Sequence, residues 1–225
     1  MTPNERRHMT MDLFNDIIEA ESQQVALDTG AMILRLFAVQ DETAILAALD
    51  KLVAQAPFRH MLTPGNHRMS VAMTNCGTLG WVSDSSGYRY DPIDPISSQK
   101  WPPMPGIFHK LAKDAAAQAG FQGFVPDACL INRYEPGAKL SLHQDKDERD
   151  LNQPIVSVSL GIPAVFVFGG LHRADKVMRV QVTHGDVVVW GGPARLRYHG
   201  VLPLKEGHHP LVGNRRINLS FRKAA

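Results

Sequence analysis

The chain has 225 residues, enough for one large domain or two small ones, with the 44% apolar and 20% charged residues of an ordinary globule. A net charge of +2 is compatible with a nucleic-acid partner without requiring one. No apolar run approaches the roughly 18 residues of a membrane span, and two cysteines, Cys76 and Cys129, make neither a disulfide framework nor a CxxC pair, so a reducing cytoplasm is the expected setting.

In chain order, MTPNERRHMTMDLFND is charged and lacks the apolar core of a signal peptide. DETAILAALDKLVAQAP reads as a helix with Asp41 as N-cap, Ile45, Leu46, Leu49, Leu52 and Val53 on one face, and Pro57 beyond its end. Residues 57–105 differ in texture, rich in Gly, Pro, Ser and Asn. MSVAMTNCG is their best strand, and YDPIDP and WPPMP read as turns. GIFHKLAKDAAAQAG reads as a second helix stopped by Gly120. After residue 126 come short apolar runs separated by turn residues: ACLINRY, KLSLHQD, IVSVSLG, AVFVFGG, MRVQV, DVVVWGG, LRYHGV and RINLSFR. Such spacing predicts an antiparallel sandwich or small barrel, and with two helices ahead the class is α+β around a β core.

Within KLSLHQD, an extended backbone puts His143 and Asp145 on one face, two residues apart. The spacing alone also suits a surface histidine beside an acid. With His199 of RLRYHGV as a third donor, the set becomes two histidines and a carboxylate, the facial pattern of non-haem Fe(II) oxygenases. His172, His184, His208 and His209 have no acidic neighbour at strand spacing and read as surface or turn residues. In the last run, Arg216, Asn218, Ser220 and Arg222 alternate with Ile217, Leu219 and Phe221. An edge strand with a solvated basic face is the plain reading. Guanidinium groups, however, bind carboxylates bidentately, and a keto diacid chelating iron at one end needs such a partner at the other.

These segments, with APF at 56–58, GYRYDPIDP, QKWPPMP, FGGL and YHG, together resemble the AlkB family of Fe(II)- and 2-oxoglutarate-dependent dioxygenases from about Met11 to Arg222. The resemblance implies a single domain over 1–225, with a double-stranded β-helix (jelly roll) core at about 126–223, N-terminal helices and a nucleotide-recognition lid at about 57–105. It implies that His143, Asp145 and His199 bind Fe(II). Arg216, Tyr134 and Asn218 would meet the distal carboxylate of 2-oxoglutarate, with Arg222 and Asn132 nearer its chelating end. The implied reaction consumes 2-oxoglutarate and O2 and oxidises an N-methyl group of a base, which leaves as formaldehyde.

Chemistry on a base requires it out of the stack. Trp81, flanked by Gly, Ser and Asp in what reads as a mobile loop, would be the stacking platform, with the His143 ring opposite. Tyr88 would contact the backbone. Arg173 matches a family substrate contact, while Arg59, Arg68 and Arg89 read equally as charge around the mouth or as solvated surface. Asp147, placed on the ligands' face if the strand persists, would take an exocyclic amine and favour a ring made cationic by methylation. By itself DKDERD is an acidic surface turn. The expected partner is alkylated single-stranded DNA, with double-stranded DNA and RNA as further substrates, and a monomer. A relative acting on RNA or protein, and a jelly-roll binding module without catalysis, are the competing readings. The second leaves Arg216 and Arg222 unexplained.

Overall fold

The computed structural model describes residues 23–225. The charged N-terminal stretch and the first part of the resemblance, Met11 to Ser22, lie outside the described residues. The strands are β1 (Gln24–Asp28), β2 (Ala31–Leu34), β3 (Arg59–Leu62), β4 (Arg68–Gly77), β5 (Gly80–Asp84), β6 (Gly87–Asp91), β7 (Ala128–Tyr134), β8 (Leu140–His143), β9 (Ile155–Gly161), β10 (Ala164–Phe168), β11 (Met178–Val182), β12 (Val187–Trp190), β13 (His199–Val201) and β14 (Arg216–Arg222). The helices are α1 (Glu42–Gln55) and α2 (Gly106–Gln118). An eight-stranded sheet runs β1-β2-β12-β9-β14-β7-β4-β3, a four-stranded one β11-β10-β13-β8, and β5-β6 form a separate ribbon. This is the jelly-roll, α+β architecture.

Period-two alternation divides the large sheet into two faces. Ile131, Val156, Val158, Leu160, Val187, Val189, Leu219 and Phe221 point outward onto α1 and α2 and form one apolar core with Ile45, Leu49, Phe108 and Leu111. The ring of Phe108 meets Phe221 edge to face at 5.9 Å. The residues in between face the small sheet. There Tyr134, Ile155 and Trp190 join Phe166 and Phe168 in a second core, and a polar strip of Asn132, Ser157, Ser159, Arg216, Asn218 and Arg222 is buried beside it. The candidate site side chains on this sheet thus lie on the inner face of the roll, and the helices pack against it from outside.

The structure moves several expected boundaries. Residues 57–105 are not one lid, because β3 and β4 are strands of the large sheet, β4 pairing with β7 from Ala72↔Arg133 to Gly77↔Ala128. Within this stretch only β5 and β6 form a sheet of their own. The core likewise begins well before residue 126, since β2 pairs with β12. Asp41 caps nothing with its side chain: Val39–Asp41 is already a 3-10 turn, so the backbone arrives curled rather than extended. β14 is no edge strand. It lies between β7 and β9 and is buried along its whole length. No helix among the described residues is long and apolar enough to cross a membrane.

Candidate metal centre and co-substrate cavity

β8 and β13 pair so that His143 stands opposite His199. Their rings lie 4.4 Å apart between centroids. Gly200 makes this approach possible, because a Cβ there would sit 2.6 Å from the carbonyl oxygen of Leu140 on β8. The strand ends at His143, so Asp145 reaches the same spot from the following loop rather than by strand alternation, which corrects the expected geometry. Its Oδ1 is 3.5 Å from His143 Nε2 and its Oδ2 is 3.6 Å from His199 Nε2. Nδ1 of each histidine faces a backbone carbonyl two residues back, Ser141 at 2.8 Å and Arg197 at 3.0 Å, leaving both Nε2 atoms turned to the centre. One ligand atom from each of the three residues falls within 4.8 Å of the others, a set that could hold a metal ion.

Charge within the site is strongly directed. Burial opposes ionisation of Asp145, but Arg222 and the two histidines outweigh it and hold its carboxyl well below the usual carboxylate range. Burial and then the neighbouring His143 lower the proton affinity of His199. Burial also works against a charge on His143, yet Asp145 leaves it raised. Arg222 donates to Asp145 Oδ2 from Nη2 at 2.6 Å and from Nε at 3.1 Å.

The triangle opens on a cavity of about 610 Å³. At its depth, Arg216 is 2% exposed and donates once, from Nη2 to Ser159 Oγ at 2.9 Å. Its Nε and Nη1 have no partner among the described residues, nor has Asn132 Oδ1. A buried guanidinium with two unpaired donors is suited to a carboxylate. The fit to a keto diacid is therefore in the residues themselves: an anion partner at one end of the cavity and an open N,N,O donor set at the other. Tyr134 lies under Arg216, with the guanidinium carbon 5.0 Å from its ring centre. Asn218 is committed to Ser157 Oγ and the Val158 carbonyl.

Residues 30–222 match the 2OG-Fe(II) oxygenase superfamily. The chain is 58% identical over 214 residues to the alpha-ketoglutarate-dependent dioxygenase AlkB of Escherichia coli, covering 95% of this chain and 98% of that one. It belongs to the AlkB family. A mouse family member, the nucleic acid dioxygenase ALKBH1, is 33% identical over 132 residues, covering 57% of this chain and 34% of its own. The solved structure of OsALKBH1 superposes with a TM-score of 0.78 at 30% identity, over 89% of this chain and 99% of that one. The protein is accordingly an Fe(II)- and 2-oxoglutarate-dependent dioxygenase.

For an AlkB-family enzyme the remaining expected residues fall unevenly. Trp81, Tyr88, Asp147, Arg68 and Arg173 all line the cavity. Trp81 is on a strand, not in a mobile loop. The ribbon turns at Ser85 and Ser86, and Trp81 stacks on Tyr88 at 5.6 Å and 14°. Asp147 does not continue the strand; it accepts the Trp81 Nε1 hydrogen at 2.8 Å. Arg59 and Arg89 are not free charge at the mouth. Arg59 pairs through both terminal nitrogens with Asp94, and Arg89 with Asp84 and Asp91. His184 is half-buried, its Nε2 2.8 Å from Glu42 and its Nδ1 accepting from the Gly161 N–H. Sequence reasoning missed Glu148, Arg195 and Tyr90. Glu148 is 7% exposed, accepts the Tyr90 hydroxyl at 2.7 Å and pairs with Arg195 at 3.0 Å. It hid inside the acidic run DKDERD, where only an arginine able to reach it would have marked it as buried.

Proposed function

We propose that this dioxygenase removes N-methyl groups from alkylated bases, 1-methyladenine and 3-methylcytosine, in single-stranded DNA, with double-stranded DNA and RNA as further substrates. One observation carries the reading: the His143–Asp145–His199 triangle, the stacked Trp81–Tyr88 pair and Asp147, which accepts the Trp81 indole hydrogen, line a single cavity. A flat aromatic pair in the same cavity as the metal triangle suits the π-face of an extruded base. The name of the mouse relative, a nucleic acid dioxygenase, supports the same substrate class.

Fe(II), held by the triangle residues, would supply the oxidative chemistry by which 2-oxoglutarate and O2 hydroxylate the methyl group. The residues divide the remaining tasks. His143, Asp145 and His199 hold the ion. Arg216, with Tyr134 and Asn218 around it, takes the distal carboxylate of the co-substrate in a dry site, where a bidentate pair orients as well as binds. Arg222 and Asn132 serve the chelating end. Trp81 stacks on the extruded base, and Tyr88 and Arg173 contact its backbone. Asp147 receives the exocyclic amine and favours a cationic ring by its charge. The hydroxymethyl product then falls apart to formaldehyde and the repaired base.

The deciding experiment supplies iron, 2-oxoglutarate and air with a single-stranded oligonucleotide carrying 1-methyladenine. Formaldehyde and succinate should appear together. Consumption of 2-oxoglutarate without formaldehyde, on this substrate and on 3-methylcytosine, would shift the assignment to another substrate.

A further inference from the structure

Asp147 and Glu148 follow Asp145 by two and three residues, and each grips one member of a single cross-strand pair. Trp81 and Tyr90 stand opposite one another in the ribbon and therefore share a face. Trp81 Nε1 donates to Asp147, and the Tyr90 hydroxyl donates to Glu148 Oε1. That same Oε1 lies 3.3 Å from Arg222 Nε, while Arg222 also donates to Asp145. Arg195 closes the network, donating to Glu148 Oε2 and, at 2.6 Å, to the backbone carbonyl of Asp145. The side chains of Glu148 and Arg195 are only 2% and 3% exposed, so little water competes for any of these bonds.

We propose that Glu148 is a positioning residue that couples the base-gripping ribbon to the iron end of the site, by sharing Arg222 with Asp145 in a proportion set by the Tyr90 hydroxyl. This rests on the function proposed above, in which the ribbon receives the base. Arg222 Nε carries one hydrogen and faces two carboxylates. While Tyr90 donates to Glu148 Oε1, part of that oxygen's accepting capacity is taken, and Arg222 stays with Asp145 and the chelating end of the co-substrate. When the ribbon lifts, Oε1 is released and draws Arg222 away. Conversely, a co-substrate carboxylate that engages Arg222 frees Oε1 to hold Tyr90 and seats the ribbon. Co-substrate and base should therefore tighten one another, and by linkage the factor must be the same in both directions.

Tyr90→Phe removes the hydroxyl and little volume, and it leaves Trp81, Tyr88 and Asp147 in place. Affinity for a 1-methyladenine oligonucleotide is measured anaerobically with Fe(II), with and without 2-oxoglutarate. In the wild type, 2-oxoglutarate should tighten binding about fivefold or more, within the usual span of couplings between sites. In Tyr90→Phe the ratio should fall towards one while binding without 2-oxoglutarate persists. A second arm omits nucleic acid and follows the visible charge-transfer absorption of 2-oxoglutarate on Fe(II). Here Tyr90→Phe should weaken 2-oxoglutarate severalfold at unchanged iron stoichiometry. A purely space-filling network would lower affinities without changing the ratio. An unchanged ratio and unchanged charge-transfer titration overturn the coupling and leave the base-repair reading standing. Failure of either protein to bind the oligonucleotide, with the titration still altered, removes the base-repair reading but keeps the link from Tyr90 to the iron end.

Discussion

Two arginines six residues apart on β14 meet opposite circumstances. Arg222 is surrounded by carboxylates, whereas Arg216, buried in the cavity, has two nitrogens with no partner among the described residues. Arg216→Ala should weaken 2-oxoglutarate by an order of magnitude or more, since truncating one partner of a desolvated charge pair costs about 2–5 kcal/mol. Arg216→Lys should also weaken it, because an ammonium cannot copy the planar fork. Charge-transfer titration reads both variants, and unchanged affinity in either removes the role. Asp145→Ala should abolish anaerobic Fe(II) binding, while Arg222 retains Glu148 as a counter-ion. Asp147→Asn offers a cleaner reading than sequence alone suggested. The amide oxygen can still accept from Trp81, so the platform stays anchored and only the charge is lost. Turnover on cationic 1-methyladenine relative to neutral 1-methylguanine should fall in this variant. An equal ratio in the two proteins would mean that Asp147 does not sense ring charge.

The β5–β6 ribbon is a two-stranded element, and such a pair is marginal alone. Its support comes from Asn75, which bonds the Trp81 backbone in both directions, from Asp147 and Glu148, and from the loop that follows. Asp94 accepts from both terminal nitrogens of Arg59, from the Ile96 N–H and from Ser97 Oγ. Burial opposes its ionisation, yet these bonds prevail and hold its carboxyl below the usual range. A depressed carboxyl contributes stability above its unfolded value of about 3.9 and loses it as pH falls through the folded one. Protection of the amides over residues 92–101, taken relative to the intrinsic exchange rate at each pH, should therefore fall below about pH 4, and Asp94→Asn should reproduce this at neutral pH. The expected cost is about 1–3 kcal/mol for the groups left unpaired. Exchange in the variant indistinguishable from wild type would show that the loop is held otherwise. The ribbon also marks where sequence reading reached its limit. The runs from ACLINRY to RINLSFR became strands because alternation is a property of neighbours in the chain. GWVSDSSGYRY carries the same alternation around a two-residue turn, but its Gly and Ser content masked the hairpin. β1 and β2, joined across Thr29 and Gly30, escaped because each is a run of only five and four residues. The candidate ligand triad was legible because the His143–Asp145 spacing came together with a distant histidine, an arginine-bearing last strand and a family resemblance. Glu148, Arg195 and Tyr90 were not, because their roles depend on contacts 47 and 58 positions apart.

Across the whole molecule, the large sheet carries an apolar outer face and an inner face shared between a second apolar core and a buried polar strip, so a change on the outer side should be separable from chemistry on the inner one. Phe221→Ala, beneath α2, should cost about 3–5 kcal/mol, read as a lower urea midpoint, while the variant that remains folded still binds iron. Loss of iron stoichiometry in the folded fraction would show that the two faces are not independent. β14 also fixes an order of events. Of the described strands it is the last to leave the ribosome, yet its place is between β7 and β9, near the middle of the large sheet. Until it arrives, the nascent chain presents two unsatisfied edges with a strand-wide gap between them. The same seven residues bring Arg216, Asn218 and Arg222. The gap that leaves the newborn chain open to mispairing is closed by the segment that, in the function proposed above, completes the co-substrate cradle, so a partly synthesised chain would have neither a finished sheet nor the side chains proposed to hold 2-oxoglutarate.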